Sequence, residues 1–438
     1  MNFYKRAQGL YIENNYKDTT SKHPLNFKTQ ISGAVSRGKF SRQVFFGTES
    51  NQGPYRLKGA NNETFIIILS GTEKIYIDGK SLQRGQENDY IIDYNTGEIT
   101  FTAKQIITKD KRIVAEFQYA ERNYARTLFL FGEEIEGRKT KVYFNFYSEQ
   151  DNKNKPLQQT LTQDQINTMI LSGDSLNRAV YSGATLASFN ATDVFYRKHD
   201  TTCNGYRYTG IYEFSTNKDS ARYNVKFSNV GANNGNYVQV KSSANGKVYQ
   251  WTAPKNNVPQ GSYEPVIPLV TPKMSQMMTS GITHSFTQNN LLNVEGVYTH
   301  NDINRFSGLD KRNDEGSGIK VNSKNQFLFA KDSLNRSTKI VYNLNYEFVQ
   351  KNFKQIERFR SVEFDRDWNR PLTGLIYNDQ HIGSAEIGLQ NKSGYNLNYI
   401  FNYLDEGRNY EGTRHNVIAS ANVTNFKANY SGSFLQSS

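Results

Sequence analysis

The sequence predicts an all-β protein: an antiparallel, partial transmembrane β-barrel that carries inserted β-rich soluble domains and one short helical segment. The first observation is the stretch 339–349, KIVYNLNYEFV, in which apolar or aromatic residues alternate with mostly polar ones. Alternation over roughly 9–11 residues has the length of a membrane-crossing strand, whereas a strand of a soluble protein averages about five or six residues. The residues expected to face lipid are Ile340, Tyr342, Leu344, Tyr346 and Phe348.

Two further observations favour the same fold class. The alternating pattern recurs along the C-terminal part of the chain, from residue 273 onward. Hydrophobic residues make up only 36% of the chain, yet aromatic residues reach 13%, with 29 Tyr and 27 Phe. A barrel with a polar interior and an apolar exterior has this composition, because half of each strand faces a wet lumen. Aromatic residues this frequent and this regularly spaced also argue against disorder.

Charge and cysteine content exclude several classes. The net charge of +12 is spread along the chain without a basic stripe, so we expect no nucleic-acid partner. The remaining interpretations are a solvated surface or attraction to an anionic lipid or saccharide surface. Cys203 is the one cysteine, which excludes an internal disulfide. No apolar run reaches about 18 residues, so no transmembrane helix is predicted.

These patterns divide the chain into five segments. Barrel strands are expected near the N-terminus, at 25–35 and 40–46, and again as hairpins beyond each of two inserted domains. The predicted boundaries are 1–52 for barrel strands, 53–122 for an inserted β-sandwich-like domain, 123–155 for a barrel strand hairpin, 156–272 for a second inserted domain with a Pro-rich linker, and 273–438 for barrel strand hairpins.

The first insert is predicted from its turns. Asp78-Gly79 and Asn95-Thr96-Gly97 are hairpin signals between β-rich runs. The apolar run 65–69 is typical of a strand buried on both faces. The segment closes on RIVAEFQY. These features predict a compact β domain.

The second insert contains the one clear helix start. Thr162 can cap the helix and Gln165 stands three residues later, followed by the apolar residues Ile166, Met169 and Ile170. Gly173 is expected to end this helix, and residues 174–181 are a candidate for a second short helix. Asn245-Gly246 predicts a hairpin in the β segment that follows, and the prolines from 254 to 272 predict an extended linker.

The ends of the chain lead us to expect an internal fragment of a longer protein. The N-terminus, MNFYKRAQGL, lacks the apolar core of a secretory signal. The chain stops at FLQSS, after a predicted strand and without the terminal aromatic residue that closes many outer-membrane barrels. We therefore interpret Met1 as an internal methionine.

Several motifs together carry a family resemblance. They are GPYRLKG, SGTEKIYIDGKSLQRGQENDYIIDYNTGEITF, the series FSNVGANNGNYV, GKVYQW and GSYEPV, and HNDINRFSGLD. In combination, over roughly residues 1–370, the chain resembles a group of very large, mostly uncharacterised outer-membrane β-barrel or cell-surface proteins of Gram-negative bacteria. The resemblance implies a barrel with β-rich inserts, made as a precursor more than twice this length, and it implies no catalytic residues. Where such proteins have a GDYV-like element, this chain has Asn236 in Gly235-Asn236-Tyr237-Val238.

Catalytic patterns are weak, and we expect no enzymatic activity. The six histidines have no pair at metal-binding spacing. His199 lies near Cys203, but the segment TTCNG is a polar turn without an activating motif. Asp365 and Asp367 would lie on one face of a strand and could flank a glycosidic bond. A polar patch with Arg366 between the two carboxylates is the preferred interpretation of FDRDW.

The densest acidic loop gives the preferred candidate metal site, since the acids of the first insert lie at turn positions where Asp caps the backbone. In NDINRFSGLDKRNDEGSG, the carboxylates of Asp302, Asp310 and Asp314 are hard oxygen ligands interspersed with glycines. Ca²⁺ prefers such ligands, although the spacing does not match an EF-hand loop. Calcium is therefore a candidate cofactor, with a solvated loop as the alternative, and no other cofactor is expected.

The functional expectation follows from the fold class. We expect a protein of the cell outer membrane whose inserts act as plug or docking modules, with a role in transport, export or assembly at the cell envelope. Its expected partners are outer-membrane lipid or lipopolysaccharide, with other envelope proteins or glycans as further partners. The alternative is a surface adhesin or saccharide-binding protein, since Tyr, Asn and Lys suit stacking on sugars and hydrogen bonding to them.

Overall fold

Long antiparallel strands dominate the structure, which is a computed structural model. It describes residues 8–20, 23–35, 38–60, 66–120, 123–157, 160–190, 192–203, 205–242, 244–331, 337–370, 378–392, 394–423 and 426–438. The chain forms two compact units: Met1–Gln158, Lys273–Asp302 and Lys311–Ser438 make up the first, and Gln159–Pro272 and Ile303–Asp310 make up the second.

Within the described residues, a twelve-stranded antiparallel sheet, here called the large sheet, runs through the first unit. Each strand pairs with its neighbours in numerical order, and β1 and β12 are the two edges of the described sheet. This confirms the prediction of an all-β chain built on antiparallel strands. The strands are β1 (Gln8–Asp18), β2 (Leu25–Val35), β3 (Tyr124–Glu136), β4 (Thr140–Pro156), β5 (Met274–Thr287), β6 (Asn290–Asp302), β7 (Glu315–Lys331), β8 (Ser337–Val349), β9 (Gln380–Asn391), β10 (Tyr395–Asp405), β11 (Glu411–Val423) and β12 (Phe426–Ser437).

Residues 38–120 form a small domain between β2 and β3. Two sheets share one apolar core, to which Ile75, Ile113 and Phe117 contribute from one sheet and Ile99 and Phe101 from the other. Side chains from both sheets meet in that core because inward-facing positions alternate along each strand. The strands are Lys39–Phe46, Tyr55–Arg56, Ile67–Ile68, Lys74–Ile77, Lys80–Ser81, Tyr90–Asp93, Glu98–Phe101 and Arg112–Ala120.

Two predictions about this region were wrong. The strand predicted at 40–46 as part of the barrel belongs to the small domain, where Lys39–Phe46 pairs with Arg112–Ala120. The apolar run 65–69 is not buried throughout: Ile66 and Ile68 are buried, whereas Ile67 is exposed. Residue 65 lies outside the described residues.

The second unit contains the predicted helix. Gln163–Ser172 is helical, Thr162 caps it through a complete capping box with Gln165, and Gly173 ends it, as the sequence predicts. The candidate second helix is only a single 3₁₀ turn, Leu176–Arg178. The strands are Val180–Ser182, Ala184–Leu186, Tyr196–Cys203, Tyr206–Phe214, Tyr223–Val225, Ser228–Asn229, Tyr237–Val240, Val248–Trp251, Tyr263–Glu264 and Val266–Pro268.

Tyrosines form the centre of the second unit. Tyr196, Tyr212, Tyr237 and Tyr249 are buried together, and two of their hydroxyls accept backbone hydrogen bonds. The Tyr249 N–H donates to the Tyr196 hydroxyl at 3.0 Å, and the Tyr212 N–H donates to the Tyr237 hydroxyl at 2.9 Å. Burying an aromatic ring together with a satisfied hydroxyl provides core volume without stranding a polar group.

Residues 350–370, here called the crossing segment, depart from the predicted run of uninterrupted strands. This segment lies between β8 and β9 and contains no strand; its regular structure is the one-turn helix Phe364–Asp367. A second 3₁₀ turn, Lys311–Asn313, precedes β7. No helix in the described part of the chain is long and apolar enough to span a membrane.

Candidate functional site

One face of the large sheet, here called the apolar face, carries apolar side chains from edge to edge. The strand register brings them together in rows, because residues directly opposite each other in antiparallel strands point to the same side. Leu344 is 53% exposed and Phe434 is 64% exposed, so this face is uncovered in the described chain. One such row consists of Ile12, Ile31, Phe131, Phe146, Met278 and Tyr298.

On the apolar face, the apolar side chains form a band that crosses the strands obliquely to these rows. The row that contains Val321 and Tyr346 ends on polar residues, at Thr413 in β11 and Gln436 in β12. Six residues farther along β7, a second row stays apolar or aromatic through β12. Its members are Phe327, Ile340, Leu389, Leu397, Ala419 and Tyr430.

The opposite face, here called the polar face, carries cross-strand hydrogen bonds between side chains. Asn343 Nδ2 donates to Glu386 Oε2 at 2.7 Å, and Asn293 Nδ2 donates to Thr283 Oγ1 at 2.7 Å. Lys141 Nζ lies 2.6 Å from Glu134 Oε1. Opposite-charge and hydrogen-bonding pairs at facing positions stabilise a sheet whose face is wet.

The crossing segment covers part of the polar face. At one side, Phe353 and Ile356 pack on a cluster that includes Tyr147, Met277 and Val297. At the other side, Phe364 and Trp368 pack with residues of the last strands and the turn between β10 and β11. This second cluster includes Ile382, Leu404, Tyr410 and Leu435.

The strand Arg112–Ala120 connects the small domain to the crossing segment. Eight of its nine residues are buried, and its side chains alternate in chemistry. The apolar set faces the core of the small domain, while the polar set meets the crossing segment. The apolar set is Ile113, Ala115, Phe117 and Tyr119, and the polar residues that contact the crossing segment are Arg112, Glu116 and Gln118.

Ion pairs between buried side chains form this junction. Arg112 Nη1 lies 2.9 Å from Glu363 Oε2, and both side chains are at least nine-tenths buried. Glu116 is shared by Arg358 and Arg42, and the Arg42 Nε lies 3.6 Å from its Oε1. Burial lowers the pKa of the Arg42 guanidinium, while the Glu116 carboxylate opposes that change. The contacts fix the small domain on the crossing segment.

The predicted calcium ligands are brought together only in part. His300, Asp302 and Asp314 each offer a ligand atom, and these atoms lie within 4.8 Å of one another. Asp310 belongs to the second unit, where its Oδ2 accepts the Asp174 N–H at 3.4 Å.

A lysine supplies the positive charge at this group. Lys311 Nζ lies 2.7 Å from Asp302 Oδ1 and 3.4 Å from Asp314 Oδ2. Burial alone would lower the pKa of Lys311, but its contacts with Asp302 and Asp314 raise it. Burial raises the pKa of Asp314. The ammonium group therefore takes the place that a bound cation would need, and a metal ion would have to displace it.

The catalytic candidates of the sequence have structural partners. Asp365 and Asp367 lie on the one-turn helix rather than on a strand, and Asp365 Oδ1 accepts a hydrogen bond from Arg370 Nη1 at 2.8 Å. His199 Nε2 lies 3.1 Å from Glu213 Oε2. Cys203 ends its strand and is half-buried. None of these contacts assembles a nucleophile with a base.

Sequence reasoning missed the junction. The alternation within RIVAEFQYA was a usable signal, because Glu116 and Gln118 interrupt an otherwise apolar strand at every second position. A strand with a core on one side and polar residues on the other is half-exposed unless something covers it. The cover is supplied by residues about 240–250 positions farther along the chain, a distance over which local pattern carries no information.

Comparison with known proteins identifies one region. Residues 40–121 match a family model described as a domain of unknown function (DUF8818), and this stretch corresponds to the small domain. No curated protein and no solved structure matches the chain.

Proposed function

We propose that the chain forms part of a β-barrel in the bacterial outer membrane, with the apolar face of the large sheet against lipid and the polar face toward an aqueous lumen. The observation that carries this proposal is the apolar face, to which all twelve paired strands contribute apolar or aromatic side chains. A soluble monomer rarely exposes an apolar patch larger than a few hundred Å². A bilayer accepts a sheet face where the backbone groups are paired between strands, as they are between all neighbouring strands of the large sheet.

The slant of the apolar band supports a membrane position. Strands of membrane barrels tilt by about 35–45° from the membrane normal. A band of constant depth must then move along the strands from one to the next. Along β7, the row through Phe327 lies six residues beyond the row through Val321. The apolar side chains of the last strands follow the Phe327 row, so the apolar region moves along the strands as a tilted barrel requires.

The polar face suits a lumen that is partly filled. Hydrogen-bonded amides and carboxylates line it, and the crossing segment fixes the small domain on it through buried ion pairs. A large barrel needs its lumen occupied if it is not to leak. The role that follows is transport, export or assembly of material at the cell envelope, with the small domain as a plug or docking module. Lipid or lipopolysaccharide is the partner of the apolar face.

Fractionation tests the membrane proposal. Produced in a Gram-negative host, the protein should sediment with outer membranes and should change its gel migration on heating. Heat-dependent migration arises because a folded barrel resists unfolding by detergent. Recovery in the soluble periplasmic fraction, with migration independent of heating, would overturn the proposal.

Conductance tests the plug role separately. In planar bilayers, an Arg112→Met variant should conduct more than the wild type, because the junction that fixes the small domain loses its buried cation. Arg197→Met is the matched control, since Arg197 and Glu213 form an exposed pair in the second unit. Equal conductance in the wild type and both variants would remove the plug role while leaving membrane insertion untouched.

A further inference from the structure

A cleft of about 340 Å³ lies beside the junction, between the crossing segment, the ends of β8 and β9, and Arg42 of the small domain. Its volume is at the lower end of the range for small-molecule sites, which is about 300–1,000 Å³. Among the described residues that line it, Asp365 is the one carboxylate. The cations that line it are Arg42, Lys351, Lys354, Arg358, Arg360 and Arg370.

The arginines are held in place from behind. Arg360 Nη1 lies 2.5 Å from Glu347 Oε1, and Arg370 Nη2 lies 2.8 Å from Glu406 Oε1. Neither carboxylate lines the cleft. Burial lowers the pKa of the Arg360 guanidinium, and Glu347 opposes that change. Glu347 and Glu406 therefore hold these two guanidinium groups in place, and Asp365, which does line the cleft, also binds Arg370 at 2.8 Å.

Two lysine ammonium groups remain accessible to a ligand at the cleft, beside buried arginines. The Arg370 side chain is 4% exposed, and its Nε has no hydrogen-bond partner within the described residues. The buried Nε of Arg42 makes no hydrogen bond there, although Glu116 Oε1 lies 3.6 Å from it. Lys351 and Lys354 are exposed at the mouth, where no described carboxylate forms an ion pair with either ammonium group. The Lys351 backbone N–H donates to Asp379 Oδ1 at 2.8 Å, so one carboxylate lies near this end.

Aromatic and amide side chains form the rest of the cleft wall. Phe353, Phe359 and Phe364 line the cleft together with Gln350, Gln355, Asn378 and Gln380. The Arg360 guanidinium lies over the Phe359 ring at 4.5 Å, which fixes both groups. Aromatic rings offer flat apolar surface to the C–H face of a sugar, and amides can donate to and accept from hydroxyls.

We propose that this cleft binds a saccharide that carries a carboxylate or a phosphate. Arginine and lysine recognise either oxyanion, and the aromatic and amide groups recognise the sugar. The site lies on the polar side of the sheet and its binding chemistry does not require a lipid contact. Its failure would therefore be distinguishable from a failure of the proposed membrane role.

Titration calorimetry of the full chain in low-salt buffer tests the site with four probes: trigalacturonate, glucose 1-phosphate, inorganic phosphate and neutral maltotriose. Trigalacturonate, glucose 1-phosphate or both should bind, and whichever binds identifies the oxyanion source. Maltotriose and inorganic phosphate should bind at least about tenfold more weakly, since each lacks one half of the recognition. Equal binding of inorganic phosphate, equal binding of maltotriose, or no binding of any probe would overturn the proposal.

Variants locate the binding. The double variant K351Q/K354Q removes two exposed charges without touching the buried arginines, and it should weaken the acidic saccharide about tenfold or more. K218Q/K255Q makes the same change of charge at exposed lysines of the second unit and should leave the affinity unchanged. An equal loss in both double variants would mean that the overall charge of the chain, rather than the cleft, attracts the probe.

Discussion

Arg112 and Glu363 are 251 positions apart in the chain, yet Arg112 Nη1 lies 2.9 Å from Glu363 Oε2. Both side chains are at least nine-tenths buried. Moving two charges out of water costs several kcal/mol per ion, so such a pair persists only where geometry and further hydrogen bonds compensate. Removal of one partner therefore has a larger effect than the net contribution of the pair.

We expect Arg112→Met to lower the free energy of unfolding of the first unit by about 3–5 kcal/mol, because Glu363 is left as a buried charge without its main partner. Urea unfolding can be followed by the fluorescence of Trp368, which is buried in the first unit. The chain has two tryptophans, so a Trp251→Phe background leaves Trp368 as the sole reporter.

Arg197→Met is the control for this change. Arg197 and Glu213 form a pair at 2.6 Å with about half of each side chain exposed. Exposed pairs contribute about 0.2–1 kcal/mol, so the loss should be small. Losses of similar size in the two variants would show that burial of the Arg112 pair has no special energetic consequence.

The strand β8 gives a direct test of the two faces. Leu344 belongs to the apolar face and is 53% exposed, whereas Asn343 belongs to the polar face and donates to Glu386. In lipid vesicles, Leu344→Arg should lower folding stability by about 2–4 kcal/mol if the residue lies near the bilayer midplane. The measurement is the yield of heat-modifiable, folded protein after refolding into vesicles.

Asn343→Arg is the matched control on the same strand. An arginine at this position can pair with Glu386 and stays on the polar face, so folding yield should be close to that of the wild type. Equal tolerance of both substitutions would mean that the apolar face does not meet lipid.

Local pattern identified the strands because alternation is a property of neighbouring residues. The eleven-residue stretch 339–349, the hairpins and the capped helix at Thr162 all depend on contacts within a few positions. Alternation could not distinguish Lys39–Phe46, which joins the small domain, from a strand of the large sheet. The strand with which Lys39–Phe46 pairs determines the sheet it joins. That partner is Arg112–Ala120, which lies about 70 residues away in the sequence.

The site residues were also predictable only where they depend on residues nearby in the sequence. Asp302 and Asp314 lie close to each other in sequence and in space, so the acidic loop was visible, but Lys311 as their counterion was not considered. Residues 358–368, within the crossing segment, belong to the predicted run of C-terminal strands. The side chains of the crossing segment instead pack partly on the polar face and partly on the small domain, an arrangement that only tertiary contacts determine.

The tyrosine core makes the second unit sensitive to alkali. Burial raises the pKa of Tyr196 and of Tyr237 to about 12. An unfolded chain ionises these tyrosines near pH 10, whereas the folded unit retains their protons. Stability is thus fully present below about pH 10 and falls as pH rises toward 12, by about 2–3 kcal/mol for each tyrosine. Urea unfolding followed by near-ultraviolet circular dichroism, at several pH values in this window, should show the decline.

Single tyrosine variants separate this effect from general alkaline damage. Tyr196→Phe should remove one late-ionising group from a tyrosinate absorbance titration and should flatten the alkaline decline, although it costs about 1–3 kcal/mol at neutral pH because the Tyr249 N–H loses its acceptor. Tyr206→Phe, at an exposed position of the same unit, should leave the decline unchanged. An unchanged decline in Tyr196→Phe would assign it to other groups.

Asn236 lies beside Glu264, and this neighbour explains why an amide suits position 236. Its backbone N–H and its Nδ2 both donate to Glu264 Oε1, at 2.7 and 2.9 Å. Burial raises the pKa of Glu264, while these two hydrogen bonds lower it. Asn236→Asp replaces a donor by a second carboxylate at the same distance, so the variant should lose about 1–3 kcal/mol at neutral pH.

The pH dependence and a double variant identify the cause. Two facing carboxylates raise each other's pKa, so the folded variant holds a proton that the unfolded chain releases. The loss from Asn236→Asp should therefore be small at about pH 3, where the unfolded chain is itself largely protonated, and should grow as pH rises through the raised pKa. Asn236→Asp combined with Glu264→Gln should recover most of the stability at neutral pH, since the glutamine amide can donate to the carboxylate introduced at position 236. If the double variant is no more stable than Asn236→Asp alone in urea unfolding, repulsion from Glu264 is not the reason for the loss.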